Sequence, residues 1–155
     1  MTLYVGRTYH DGDVSIGPAD LEAARQAARS TDVAPNVERW SARAQMSEDV
    51  CYFAIRWRGE LVGQILLHDL DRASGEALVA YHFFEPRRRG LGIGTSALRL
   101  LQTYVAERGD LARLFLITSC DNRASRRAAE KAGFAHVGAP REDPTGILMR
   151  WDSPR

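Results

Sequence analysis

The stretch Arg87-Arg88-Arg89-Gly90-Leu91-Gly92-Ile93-Gly94-Thr95 holds the residues whose types and spacing point most directly to chemistry. Glycines at alternating positions let a backbone approach a ligand closely and turn its N–H groups the same way. A helix that starts at such a loop adds the positive end of its dipole. Together these features hold a pyrophosphate without a metal ion. Two other phosphate motifs are excluded. The dinucleotide fingerprint needs Gly-x-Gly-x-x-Gly, and after Gly90 and Gly92 the last position is Thr95. The triphosphate loop needs Gly-Lys-Ser/Thr, a triplet this sequence lacks.

A loop of this kind needs a strand to deliver it and an amphipathic helix to carry the chain away. Ala77 to Phe84 reads as that strand. Ile93, Ala97, Leu101, Tyr104 and Val105 recur at helical spacing, and Gly109 is a C-terminal stop. Upstream, Val14-Ser15-Ile16 reads as a strand closed by Gly17-Pro18, and Asp20 caps a helix from Leu21 to Arg29. A second short helix follows Pro35 through Val37, Trp40 and Met46. Tyr52 to Trp57 and Leu61 to Leu67 flank a hairpin turn at Arg58-Gly59-Glu60. With a further turn from Asp71 to Gly75 they form an antiparallel meander ending in the Ala77–Phe84 strand.

Downstream, Leu114 to Thr118 is a buried strand after a helical crossover, hence parallel to the strand before the loop. Asn122 caps another helix, stopped by Gly133, and Phe134–Val137 and Ile147–Trp151 are closing strands. The reading is one α/β domain over residues 1–155, in three layers with a mixed sheet. A ligand belongs at the carboxyl end of the strand that feeds the glycine loop.

At 155 residues, with 45% apolar and 26% charged residues, the chain fits an ordinary globular domain. A formal charge of +1 argues against nucleic acid or a membrane surface as partner, and no segment is apolar enough to span a bilayer. The three-arginine run does not change this, because no aromatic residues are interleaved with it for bases to stack on. Cys51 and Cys120 lack metal-ligand spacing and read as reduced, buried residues of a cytoplasmic protein. Met1 to Gly6 lacks the layout of a signal peptide. No metal is expected.

A second motif, Asn122-Arg-Ala-Ser125 running to Glu130-Lys131-Ala-Gly133-Phe134, follows the first at a suitable separation. Together with Arg89-x-x-Gly92-x-Gly94 it resembles the Gcn5-related N-acetyltransferase (GNAT) family over about Tyr52 to Val137. The likeness is nearest to the ribosomal-protein alanine N-acetyltransferase-like subgroup. The resemblance implies a mostly antiparallel sheet of about six or seven strands with a splayed parallel pair that admits coenzyme A. It implies acetyl-CoA as cosubstrate, near His82 to Phe84, with its pyrophosphate on the backbone of Arg89, Gly90, Leu91, Gly92, Ile93, Gly94 and Thr95 and its sulfur end near Asn122 and Ser125. Arg87 and Arg88 are expected either to steer phosphates or to be a solvated basic turn.

Many relatives carry a tyrosine seven residues after the capping Asn, as acid for the leaving thiolate; here that position is Ala129. The subgroup instead implies Ser125 as hydrogen-bond donor to the thiolate. Relatives often place a glutamate base within the strand before the loop, where this chain has Val79. Glu85 and His82 are then the nearest titratable groups, with His68 and Asp69 further away. Trp40, Trp57 and Phe83 are candidates for an acceptor pocket and equally for core. The implied reaction is direct acetyl transfer in a ternary complex to a primary amine, on a protein N-terminus or a small molecule. A homodimer is an expectation by family analogy alone. The competing reading is a catalytically degenerate acyl-CoA sensor, favoured by the missing tyrosine.

Overall fold

The computed structural model describes Tyr4 and residues 6–154. The rest of the Met1–Gly6 stretch, Met1 to Leu3 and Val5, lies outside those residues. Eight strands form one sheet: β1 (Tyr9–Asp11), β2 (Val14–Pro18), β3 (Cys51–Trp57), β4 (Glu60–Asp71), β5 (Glu76–Phe83), β6 (Arg113–Ser119), β7 (Ala135–Gly138) and β8 (Gly146–Asp152). Four helices are α1 (Leu21–Ala28), α2 (Ala34–Met46), α3 (Ile93–Arg108) and α4 (Arg123–Lys131). The spatial order is β1-β2-β3-β4-β5-β6-β8-β7. Among the described residues no helix is long and apolar enough to cross a membrane.

The sheet has one strand more than the six or seven expected. β1 is three residues long, too short to show a period, and pairs antiparallel with β2 across a turn at Gly12. The Tyr9 hydroxyl donates to a Glu107 carboxylate oxygen at 2.6 Å, which ties β1 to α3.

Local chemistry sets the other boundaries. Arg58 and Gly59 both have positive φ, 51° and 81°, the geometry of a two-residue hairpin turn matched to strand twist. Asp20 accepts from the Ala23 N–H at 3.0 Å to open α1, and Asn122 accepts from the Ser125 N–H at 3.1 Å to open α4.

β4 explains the three layers. Ile65 and Leu67 enter a large core cluster with Phe53, Val79, Leu98, Leu101 and Leu114, between the sheet and α3 and α4. Leu66, pointing the other way, packs with Tyr52, Leu21 and Ala44 under α1 and α2. Both faces of the central strands are buried, so their sequence is apolar almost without alternation.

The parallel contact between β5 and β6 is short. Only Glu76–Val79 pair with Arg113–Leu116. Beyond that, β5 stays with β4 as far as Phe83↔Gly63, and β6 stays with β8 as far as Ser119↔Gly146. The sheet therefore forks at the carboxyl ends of the two strands.

Candidate active site

The fork opens into a cleft of about 630 Å³. One wall is β5 with Tyr81, His82 and Phe83; the floor is the glycine loop and the start of α3; the other wall runs from Ser119 along α4 to Lys131.

Backbone groups of β5 face this cleft in a fixed alternation. The Phe84 N–H donates to Val62 O at 3.0 Å, so Phe84 directs its amide toward β4. Alternation then turns the amides of Ala80 and His82 the same way and leaves those of Tyr81 and Phe83 facing the fork. They are polar groups aimed at whatever lies between the strands.

The loop has the conformation its glycines permit. Gly90 and Gly92 adopt φ of 78° and 79°, the left-handed region. Gly92 is the N-cap of α3, and no side chain caps that end. The first-turn N–H groups, at Ile93, Gly94 and Thr95, have no partner within the helix and emerge at the floor. The Ile93 side chain is 1% exposed in the main core, so this residue offers its backbone alone. Leu91, 56% exposed, stands on the outer surface of the loop.

Three consecutive arginines go three ways. Arg87 pairs with Glu85 at 2.6 Å, at the surface. Arg88 is 7% exposed; its guanidinium meets Glu60 at 2.6 Å and lies 5.0 Å above the Trp57 ring. This corrects the expectation of a steering or solvated group, because Arg88 is an internal strut from the loop to the β3–β4 hairpin. Arg89 alone lines the cleft, with Asp32 at 4.0 Å.

The other expected residues divide similarly. Asn122 and Ser125 lie on the α4 wall. Phe84 is 2% exposed and packs with Ala24, Ala28, Val33 and Val37 under α1 and α2; its ring turns away from the cleft. Glu85 is not among the lining residues, and its carboxylate is engaged by Arg87 at the surface. His68 and Asp69 pair with each other at 2.6 Å, at the far end of β4 and away from the fork. Trp40 stacks near His68 and Trp57 under Arg88; of the three aromatics, only Phe83 reaches the cleft. Cys51 is buried, whereas Cys120 is exposed at the end of β6, contrary to the buried reading.

His82 does reach the site. Its Nε2 lies 3.0 Å from Gln64 Oε1, which already accepts from the buried Tyr52 hydroxyl. An oxygen accepting on both sides fixes the proton on Nε2 and leaves Nδ1 as the lone pair. Burial pulls the imidazole pKa down to about 4, so it is neutral at pH 7.

Sequence reasoning missed Tyr81, Arg127 and Lys131. Arg127 and Lys131, one turn apart on α4, place two cations on the cleft wall, a face that the capped helix and its 3.6-residue period could have shown.

A forked mixed sheet, a helix start without a side-chain cap and the cations of the α4 wall meet at this cleft. Residues 5–135 match the acetyltransferase (GNAT) domain family, and the chain belongs to that family. A Bacillus subtilis (strain 168) protein provisionally named ribosomal N-acetyltransferase YdaF is 36% identical over 84 residues, 54% of this chain. The match spans 45% of that protein, so the chain covers less than half of it. Among solved structures, RimL, a ribosomal L7/L12 alpha-N-protein acetyltransferase in complex with coenzyme A, shares the fold with a TM-score of 0.77 at 20% identity, over 94% of this chain and 98% of that one. Mycobacterium smegmatis RimJ, solved with a coenzyme A disulfide, shares it with a TM-score of 0.74 at 20% identity, over 99% of this chain and 90% of that one.

Proposed function

We propose that the chain is an acetyl-CoA-dependent N-acetyltransferase that moves an acetyl group directly to a primary amine. The observation that carries this reading is the fork between β5 and β6, with the uncapped start of α3 at its mouth. Acetyl-CoA supplies an activated acyl group as a thioester. The residues present suit it: first-turn amides from Ile93 to Thr95 and the left-handed Gly90 and Gly92 receive the diphosphate. Arg89, Arg127 and Lys131 balance its charge.

The amides of Tyr81 and Phe83 face the place where a thioester carbonyl would lie between the strands. Fixed N–H donors there stabilise the oxyanion that develops on attack. Asn122 and Ser125 form the wall at the sulfur end. His82, neutral and with Nδ1 free, takes the proton lost by the nitrogen, directly or through one water. Bringing amine and thioester together supplies much of the remaining acceleration by orientation.

The acceptor must attack as a free amine. An α-amine, with pKa near ~8, reaches that form more readily than lysine near ~10.4. A protein or peptide N-terminus is therefore the preferred acceptor class, in line with relatives named for ribosomal proteins. Small amines are the second class.

Calorimetry with coenzyme A tests the floor of the site. Gly92→Glu places a carboxylate beside the proposed diphosphate site and strains the left-handed backbone there, although no atom lies within 4 Å of an added Cβ. Its affinity is expected to fall at least about a hundredfold while the chain stays folded, since repulsion at a helix start is added to lost backbone contacts. Unchanged affinity rejects the loop assignment. Thiol release from acetyl-CoA with free-amine peptides separates the enzyme from a sensor that binds without turnover.

A further inference from the structure

We propose that Tyr81 is the proton donor to the departing sulfur, a role filled from strand β5 and not from helix α4. This rests on the transferase reading above and adds a residue to it. On α4 the register leaves no phenol for the task. Position 129 is an alanine buried in the main core, and the cleft face of the helix carries Ser125, Arg127, Ala128 and Lys131.

Tyr81 reaches the same space from the sheet. It lies two residues beyond the last β5–β6 pair, Val79 with Leu116, so it enters the cleft where the ladder has ended. It shares the α3–α4 face of β5 with Val79, since strand side chains repeat every second residue. Its ring passes over the first turn of α3. A Cβ added at Gly94 would lie 3.3 Å from the ring and 3.4 Å from the hydroxyl, so the missing side chain at Gly94 makes room for the phenol. Ser125 lines the opposite wall of the same cleft. Phe83 stands edge-on to the ring, with centroids 6.0 Å apart. The ring is thus held between β5 and the first turn of α3, at the fork.

Burial raises the Tyr81 pKa above its ordinary value, so the phenol keeps its proton at neutral pH. The charged groups around the same cleft are Arg89, Asp121, Arg127 and Lys131, with His82 neutral beside it on β5. The acceptor nitrogen forms the new C–N bond, and the C–S bond breaks with its electron pair on sulfur. The Tyr81 O–H proton passes to that sulfur. The nitrogen's proton leaves through His82, and solvent restores one to the phenolate.

The test needs coenzyme A alone and no acceptor. A phenol that donates to the thiolate lowers the thiol pKa of bound coenzyme A. That ionisation is followed against pH through the S–H Raman band, as the difference between loaded and ligand-free protein. In Tyr81→Phe, calorimetric affinity is expected to stay within about threefold of wild type, whereas the bound thiol ionises about one pH unit higher, a tenfold change. Replacing Tyr81 by 3-fluorotyrosine, a more acidic phenol of similar size, should move the ionisation below the wild-type value. Coincident titrations for wild type and both variants overturn the proposal and leave the binding reading intact. A wild-type chain with no affinity for coenzyme A overturns both.

Discussion

His82 carries a stability signature that can be read without any substrate. Burial holds its folded-state pKa near 4, whereas an unfolded chain titrates near 6.5. Between those values the unfolded state binds a proton that the folded state refuses, so stability falls as pH drops through that window. By pH 4.5 the loss reaches about 2–3 kcal/mol, and above pH 6.5 the contribution is flat. Denaturant unfolding at pH 7 and 4.5 measures it, and His82→Asn should lack this share of the slope. An unaltered slope would show that His82 titrates alike in both states. The same depression bears on catalysis. The acidic limb of the rate should follow the acceptor amine near ~8, with no break from an imidazole between pH 6 and 7. A break there would place the working histidine in a more solvated setting.

At the scale of elements, the glycine loop depends on Arg88. Its guanidinium joins the turn at Pro86–Arg88 to Glu60 and Trp57 of the β3–β4 hairpin. Arg88→Leu keeps the bulk, removes the ion pair and leaves a half-exposed Glu60 alone. The expected cost is about 1–3 kcal/mol, below that of a fully buried pair because Glu60 stays partly solvated. Coenzyme A affinity should fall as well, through a loop no longer held in place. Thermal unfolding with calorimetry decides this; an affinity unchanged beside a lowered Tm would confine Arg88 to stability.

Three arginines in a row look identical in sequence, but a 3-10 turn advances about 120° per residue, so consecutive side chains leave in different directions. That turn was not legible. The glycine loop, α3 and both capped helices were, because caps, stops and apolar periods are local signals. Tyr81 was not, because the β5 run Ala77-Leu78-Val79-Ala80-Tyr81-His82-Phe83 is apolar at both parities but for His82, with no polar alternation to show which way a ring points. Glu85 is close to the site in sequence alone; its partner Arg87, two residues on, draws it to the surface instead.

For the whole molecule, the short ladder between β5 and β6 makes the sheet two plates stitched along a seam four residue pairs long. Five strands lie on one side and three on the other. The amides of Tyr81 and Phe83, just past the last stitch, should exchange with deuterium far sooner than their neighbours Ala80 and His82, which are secured to β4. A guest threaded between the plates would act as a suture, slowing exchange on both margins and raising the melting temperature with its concentration. The place proposed to receive the ligand is thus where the ladder between the two plates ends, and occupancy would extend the tie between them.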